Sequence, residues 1–128
     1  MKKSVLFLCF LCAVMLSTNC KKEEKYDIYG TYQRAYNVGG EDYQVQLSFT
    51  ENGLLQWIPV DVIPDHNASE VSFNVLSDNK IKIFNDTDCG SDAQYNFVVT
   101  KNYLTLTPET EDCDPRNNAL SGEWSKVE

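Results

Sequence analysis

Tyr43-Gln44-Val45-Gln46-Leu47-Ser48-Phe49-Thr50 sets an aromatic or aliphatic side chain at every second position and a polar one between. Successive side chains of an extended chain point to opposite faces, so a period of two makes a strand with one apolar and one polar face. Glu51-Asn52-Gly53 follows. Asn-Gly is a strong hairpin signal, because both residues tolerate positive φ. Leu54 to Val60, with Trp57 inside it, then runs back as the partner strand.

The same pattern extends outward in both directions. Val71, Phe73 and Val75 alternate with Ser72 and Asn74 before the turn Ser77-Asp78-Asn79, and Ile81 and Ile83 alternate with Lys80 and Lys82. Ala93 to Thr100 places Tyr95, Phe97 and Val99 on one face; after Lys101-Asn102, Leu104 and Leu106 alternate with Thr105 and Thr107. Ile28 to Tyr36 and Leu120 to Val127 supply a first and a last strand. No long segment carries a helical period. Short sequential hairpins imply antiparallel neighbours, and about eight short strands predict an all-β, eight-stranded antiparallel up-and-down barrel. A sandwich of the immunoglobulin kind would want a tryptophan between two bridged cysteines. Here Trp57 and Trp124 both lie outside the interval from Cys89 to Cys113.

The N-terminus has a different logic. Lys2-Lys3 precede an apolar run from Val5 to Leu16, and Ser17-Thr18-Asn19-Cys20 leads into Lys21-Lys22-Glu23-Glu24-Lys25. That is the layout of a secretory signal, and the run falls short of the roughly 20 apolar residues a spanning helix needs. Leu16-Ser17-Thr18-Asn19-Cys20 resembles the lipobox of bacterial lipoproteins, in the relaxed form found in Bacteroidetes. The resemblance implies cleavage before Cys20 and acyl chains such as palmitate on that cysteine, enough for stable anchoring. Lys21-Lys22-Glu23-Glu24 resembles the surface-export signal of the same lipoproteins. It implies an outer-membrane protein facing outward; a periplasmic face is the alternative. The expected organisation is a signal peptide over 1–19, a lipidated tether over 20–27 and one barrel domain over 28–128.

Charge and cysteines bound the function. The chain has 11 basic and 19 acidic side chains and a net charge of −8, and losing Lys2 and Lys3 with the leader deepens this to −10. A field of that sign repels phosphate backbones, which argues against nucleic acid as a partner. Of five cysteines, Cys9 and Cys12 leave with the signal and Cys20 carries lipid. Cys89 and Cys113 remain as an even pair in an oxidising compartment and are expected to bridge, closing a loop worth about 3 kcal/mol. The alternatives are two free thiols or a metal pair. Exported thiols oxidise, and no His or further Cys stands near to complete a zinc site.

Cys113-Asp114, Arg116, Leu120, Gly122 and Trp124, with the early Gly30-Thr31-Tyr32, resemble the small lipocalin-like domains of Bacteroidetes lipoproteins. Lipocalins carry Gly-x-Trp on the first strand, where the glycine allows close approach and the indole plugs the barrel base. Here Tyr32 stands in that place, and the Gly-x-Trp falls at Gly122 and Trp124. The resemblance implies a barrel that holds one small apolar molecule, and small eight-stranded barrels have about that much room. Tyr32, Tyr36, Tyr43 and Trp57 are the expected ligand-lining residues.

Catalytic chemistry has little to stand on. His66 is the single histidine, and although Asp65 and Ser69 are close in sequence, a triad is a spatial arrangement. Asn67-Ala68-Ser69 and Asn85-Asp86-Thr87 fit a glycosylation sequon that has no expected use in this setting. Asp86, Asp88 and Asp92 alternate around Gly90, and a Cys89–Cys113 bridge would bring Glu111, Asp112 and Asp114 to them. Such carboxylates repel unless a cation or Arg116 compensates. A weak Ca²⁺ site on Asp86, Asp88, Asp92, Asp112 and Asp114 is one expectation, a hydrated acidic loop the other; no other cofactor is expected. The expected function is a lipid-anchored, non-catalytic envelope module that holds a small apolar ligand or contacts a surface partner. The alternative is a structural or interaction accessory with a filled barrel.

Overall fold

The computed structural model describes residues 24–128, so Cys20 and the signal segment lie outside the described residues. The alternating runs become β1 (Gly30–Val38), β2 (Glu41–Phe49), β3 (Leu54–Pro59), β4 (Ser69–Ser77), β5 (Lys80–Phe84), β6 (Ala93–Val99), β7 (Tyr103–Thr110) and β8 (Gly122–Lys126). Each pairs antiparallel with the next, and β8 returns to β1. The result is the closed, eight-stranded, up-and-down barrel that the period-two pattern predicts. Closure is uneven: β1 pairs with β2 from Gly30–Phe49 to Val38–Glu41, but with β8 only at Tyr32–Lys126 and Gln33–Ser125.

Register sorts the connections between two ends. Tight turns after β2, β4 and β6 share one end with both termini. The β1–β2 turn and the long connections after β3, β5 and β7 share the other. At the tight-turn end, the β2–β3 loop has Gly53 in the left-handed region at φ +82°. Its frame is a bond from Gly53 N–H to the Thr50 carbonyl and another from Thr50 N–H to the Leu54 carbonyl. The loop therefore spans Glu51–Gly53, with the glycine alone carrying the positive φ. The residues before β1 close this end from beneath: Ile28 is 1% exposed, and the Tyr29 ring lies 6.2 Å from Phe73 on β4.

Two local expectations change. Val75 is exposed near the end of β4, where the β4–β5 register shifts between Val75 and Ser77. The stretch before β8 is not strand up to Leu120; it forms the one helix among the described residues, α1 (Asp114–Leu120). Pro115 in the first turn suits helix initiation, and Arg116 and Leu120, four apart, share its buried face. Seven residues are too few to display a helical period, so the sequence pattern could not register α1.

Inward-facing residues fill the barrel towards the tight-turn end. Tyr32, Leu47, Ile81, Leu104 and Trp124 are completely inaccessible, and Phe49 packs edge-on against both Tyr32 and Phe73. The helix-bearing end is built differently.

Candidate ligand site at the helix-bearing end

A cavity of about 440 Å³ opens at this end. Its floor is apolar, from Leu55 on β3, Val71 on β4 and Leu120 on α1. Its walls are the β3–β4 connection from Asp65 to Ala68 with the start of β4 at Ser69 and Glu70, the β5–β6 connection from Asp86 to Cys89, and one side of α1. Alternation on β1 points Tyr32, Arg34 and Tyr36 inward in turn, and the last of these reaches the cavity wall.

Trp57 is the centre of the wall. It alternates inward from β3, is 7% exposed, and stands edge-on to Tyr36 with ring centroids 5.4 Å apart. The His66 ring, carried on a loop folded back by the Ile63–His66 bridge, packs on both, at 5.7 Å from Tyr36 and 6.4 Å from Trp57. Ile63 anchors that loop in the core at 4% exposure. His66 Nδ1 lies 2.8 Å from the Pro64 carbonyl, a backbone oxygen and not the carboxylate a catalytic triad would put there. The Trp57 indole N–H has no hydrogen-bond partner among the described residues. A buried donor in that state costs about 1–3 kcal/mol.

Arg116 organises the acidic wall. Its Nε and Nη2 donate to Glu111 at 2.8 and 2.7 Å, and its Nη1 donates to Asp86 at 3.2 Å and to the Ser91 carbonyl at 2.7 Å. The two side chains of the Arg116–Glu111 pair are 4% and 2% exposed. Glu111 also accepts from the Tyr95 hydroxyl and the Cys113 N–H. Burial alone would raise the Glu111 carboxyl pKa, but the bonds from Arg116, Tyr95 and Cys113 hold it below the ordinary carboxylate range. Burial and the bond to Glu111 push the Tyr95 phenol up. The Cys89–Cys113 disulfide is formed and ties the two acidic loops together beside this network.

Three of the five acidic residues expected to share a calcium ion, Asp86, Asp92 and Asp112, have other partners. Asp86 pairs with Arg116, Asp92 pairs with Lys82 at 3.3 Å, and Asp112 accepts from Ser91 at 2.5 Å. Among the described residues, no group of three or more His, Cys, Asp or Glu side chains is arranged to hold a metal ion. The Arg116 guanidinium compensates two of the carboxylates at this end, Asp86 and Glu111.

Of the four expected lining residues, Tyr36 and Trp57 line the cavity and the other two do not. Tyr32 is completely buried towards the tight-turn end. Its hydroxyl donates to the Ile28 carbonyl at 2.9 Å, and burial pushes its pKa up to about 12. Tyr43 sits at the rim, where its hydroxyl donates to Glu41 at 2.9 Å. Depth along each strand separates these early aromatics, which share the inward phase.

Arg34, a residue type that does not by itself point inward, seals the weak β1–β8 seam. Its guanidinium lies 4.0 Å over the Trp124 ring and donates to the carbonyls of Asn118, Ala119 and Ser121 at 3.1, 2.7 and 2.5 Å. Those oxygens are the unpaired acceptors at the end of α1. The signal was available: Arg34 falls on the inward phase between Tyr32 and Tyr36.

The chain matches no protein-family model, no curated protein and no solved structure.

Proposed function

We propose that this chain is a lipid-anchored, lipocalin-like binding module of the bacterial cell envelope, non-catalytic, which receives a small molecule in the cavity at the helix-bearing end. The observation that carries the reading is a cavity of about 440 Å³ at the helix-bearing end, lined by Tyr36 and Trp57 over an apolar floor. That volume is within the range of small-molecule sites, and an apolar floor with a few converging polar groups is their usual composition. The anchor rests on the lipobox-like segment ending at Cys20, and outward exposure on Lys21-Lys22-Glu23-Glu24.

A second reading is an accessory protein that works by contact. It is favoured by the filled tight-turn half of the barrel and by Val60 and Val62, 54% and 95% exposed on the β3–β4 connection beside the cavity. Two measurements test the proposal. Labelled palmitate should enter the native chain and not the C20A variant. Mass spectrometry of the protein gently extracted from its own envelope should show a bound small molecule. A protein that carries none and binds no apolar probe is the accessory of the second reading.

A further inference from the structure

The two ends of the barrel differ in charge and in exposed apolar surface. At the tight-turn end, segments 24–31, 49–55, 75–81, 97–104 and 125–128 carry four lysines and five acids, a net of −1. At the helix-bearing end, segments 37–44, 58–70, 84–93 and 109–122 carry one arginine and twelve acids, a net of −11. An anionic surface therefore repels the second end strongly and the first very little. Exposed apolar side chains gather at the end of low charge. Val75 and Leu76 lie near the end of β4, Val98 near the end of β6, Tyr103 at the start of β7 and Val127 just past β8, all 37–62% exposed. Val98 pairs with Thr105 and Tyr103 with Ser125, so Val98 and Tyr103 stand on the outer faces of neighbouring strands, with Lys101 on the turn between them.

The chain that leads towards Cys20 leaves the barrel at this same end. Ahead of the buried Ile28, the Tyr26 ring lies 5.8 Å from Lys126 Nζ, and Lys25 pairs with Asp78 on the β4–β5 turn at 3.5 Å. Cys20 is four positions before Glu24, a reach of at most about 14 Å. The nine residues of β1, tilted as barrel strands are, already rise by about 20 Å. Acyl chains on Cys20 can therefore bring the tight-turn rim to a bilayer and cannot bring the helix-bearing end there. We propose that the tight-turn rim seats on the surface of the bilayer that holds the anchor, an inference that rests on the lipid anchor proposed above. Leu76, Val98 and Tyr103 enter the interfacial layer and Lys101 reaches the headgroup phosphates. Aliphatic side chains supply apolar area there, while tyrosine and lysine join an apolar body to a polar tip. The cavity then opens away from the bilayer, and its ligand arrives from the aqueous side.

The test is amide NMR of the acylated chain in nanodiscs of phosphatidylethanolamine and phosphatidylglycerol, with and without a lipid that carries a gadolinium chelate on its headgroup. Relaxation enhancement should be at least fivefold greater at residues 75–78, 98–103 and 125–127 than at 61–69 and 86–90. The variant L76S/V98S/Y103S, altered at exposed positions alone, should lose at least half of the enhancement at the tight-turn rim. An unchanged unfolding midpoint shows that its barrel is intact. Enhancement that is equal at the two ends, greater at the helix-bearing end, or unchanged at the rim of the triple variant overturns the docking and leaves the anchor standing. A dimer in sedimentation that the triple variant dissolves makes a second copy of the chain the occupant, and overturns the lipid assignment. A chain recovered without acyl groups and free of the nanodiscs overturns the anchor and the docking with it.

Discussion

Arg34 and Trp124 come from opposite ends of the barrel sequence and meet face to face, the guanidinium 4.0 Å above the indole ring. The contact lies where the barrel is least well closed by backbone pairing, since β1 and β8 share two paired positions. The same guanidinium binds three carbonyls at the end of α1, so one side chain ties first strand, last strand and helix. Gly122 makes this approach feasible: a Cβ there would come within 3.1 Å of Arg34 Nη1, and the backbone sits at φ +111°.

R34M, which keeps the aliphatic stem and removes the donors, should cost about 2–4 kcal/mol in urea unfolding. G122A should cost about 1–3 kcal/mol from the crowding and the positive φ together. The double variant should lose less than the sum, because crowding against Arg34 vanishes with the guanidinium. Strict additivity would mean that the Gly122 cost is backbone strain alone.

The Glu111–Arg116 pair predicts an acid limb. Glu111 is held below its ordinary value of 4.5, so its contribution to stability is complete above that value. It is lost as pH falls through the lowered folded value, because the unfolded chain then binds the proton more readily. E111Q should flatten this limb and, by leaving Arg116 with Asp86 and a carbonyl only, cost on the order of 3 kcal/mol at neutral pH. Midpoints of thermal unfolding between pH 3 and 7, for both proteins, check it. Parallel profiles would remove Glu111 from the account.

How much of this was visible in the sequence depends on periodicity and length. Tyr43 to Phe49 and Ala93 to Phe97 show unbroken alternation, and both lie in strands in the expected register of inside and outside. The Cys89–Cys113 bond is formed as the even count of cysteines beyond Cys20 leads one to expect. What was hidden had no period to reveal it. The helix after Cys113 is two turns long, and its role is tertiary: it delivers Arg116 to Glu111 and presents its last carbonyls to Arg34. Cavity and plug residues could not be told apart because Tyr32 and Tyr36 share a face of β1 and differ only in depth.

Tyr32 predicts an alkaline limb of the opposite sign. A phenol whose folded pKa is pushed up to about 12 by burial stays protonated in the barrel after the unfolded chain has begun to ionise near 10. Its contribution is intact below pH 10 and declines as pH rises towards 12, by about 2–3 kcal/mol in all. Y32F forfeits the bond to the Ile28 carbonyl, about 1 kcal/mol at neutral pH, but should show a shallower fall between pH 10 and 12. Urea midpoints across that range separate the two effects.

The disulfide predicts a local consequence as well as a global one. C89S/C113S should lose about 3 kcal/mol on the chain-entropy account of a loop this size. The loss should also be spatially uneven. Cys89 ends the Asp86–Cys89 wall of the cavity, and Cys113 immediately precedes α1 while its N–H binds Glu111. Removing the bridge frees both loops, so that Arg116 alone holds Asp86 and Glu111 together. Amide exchange should therefore accelerate most in residues 85–92 and 111–120. The tight turns at Glu51–Gly53 and Ser77–Lys80 should keep their protection relative to the global unfolding limit, since nothing at that end touches the bridge. A uniform rise in exchange would mean that the bridge acts on the unfolded chain alone, and that Arg116 suffices to hold the cavity wall.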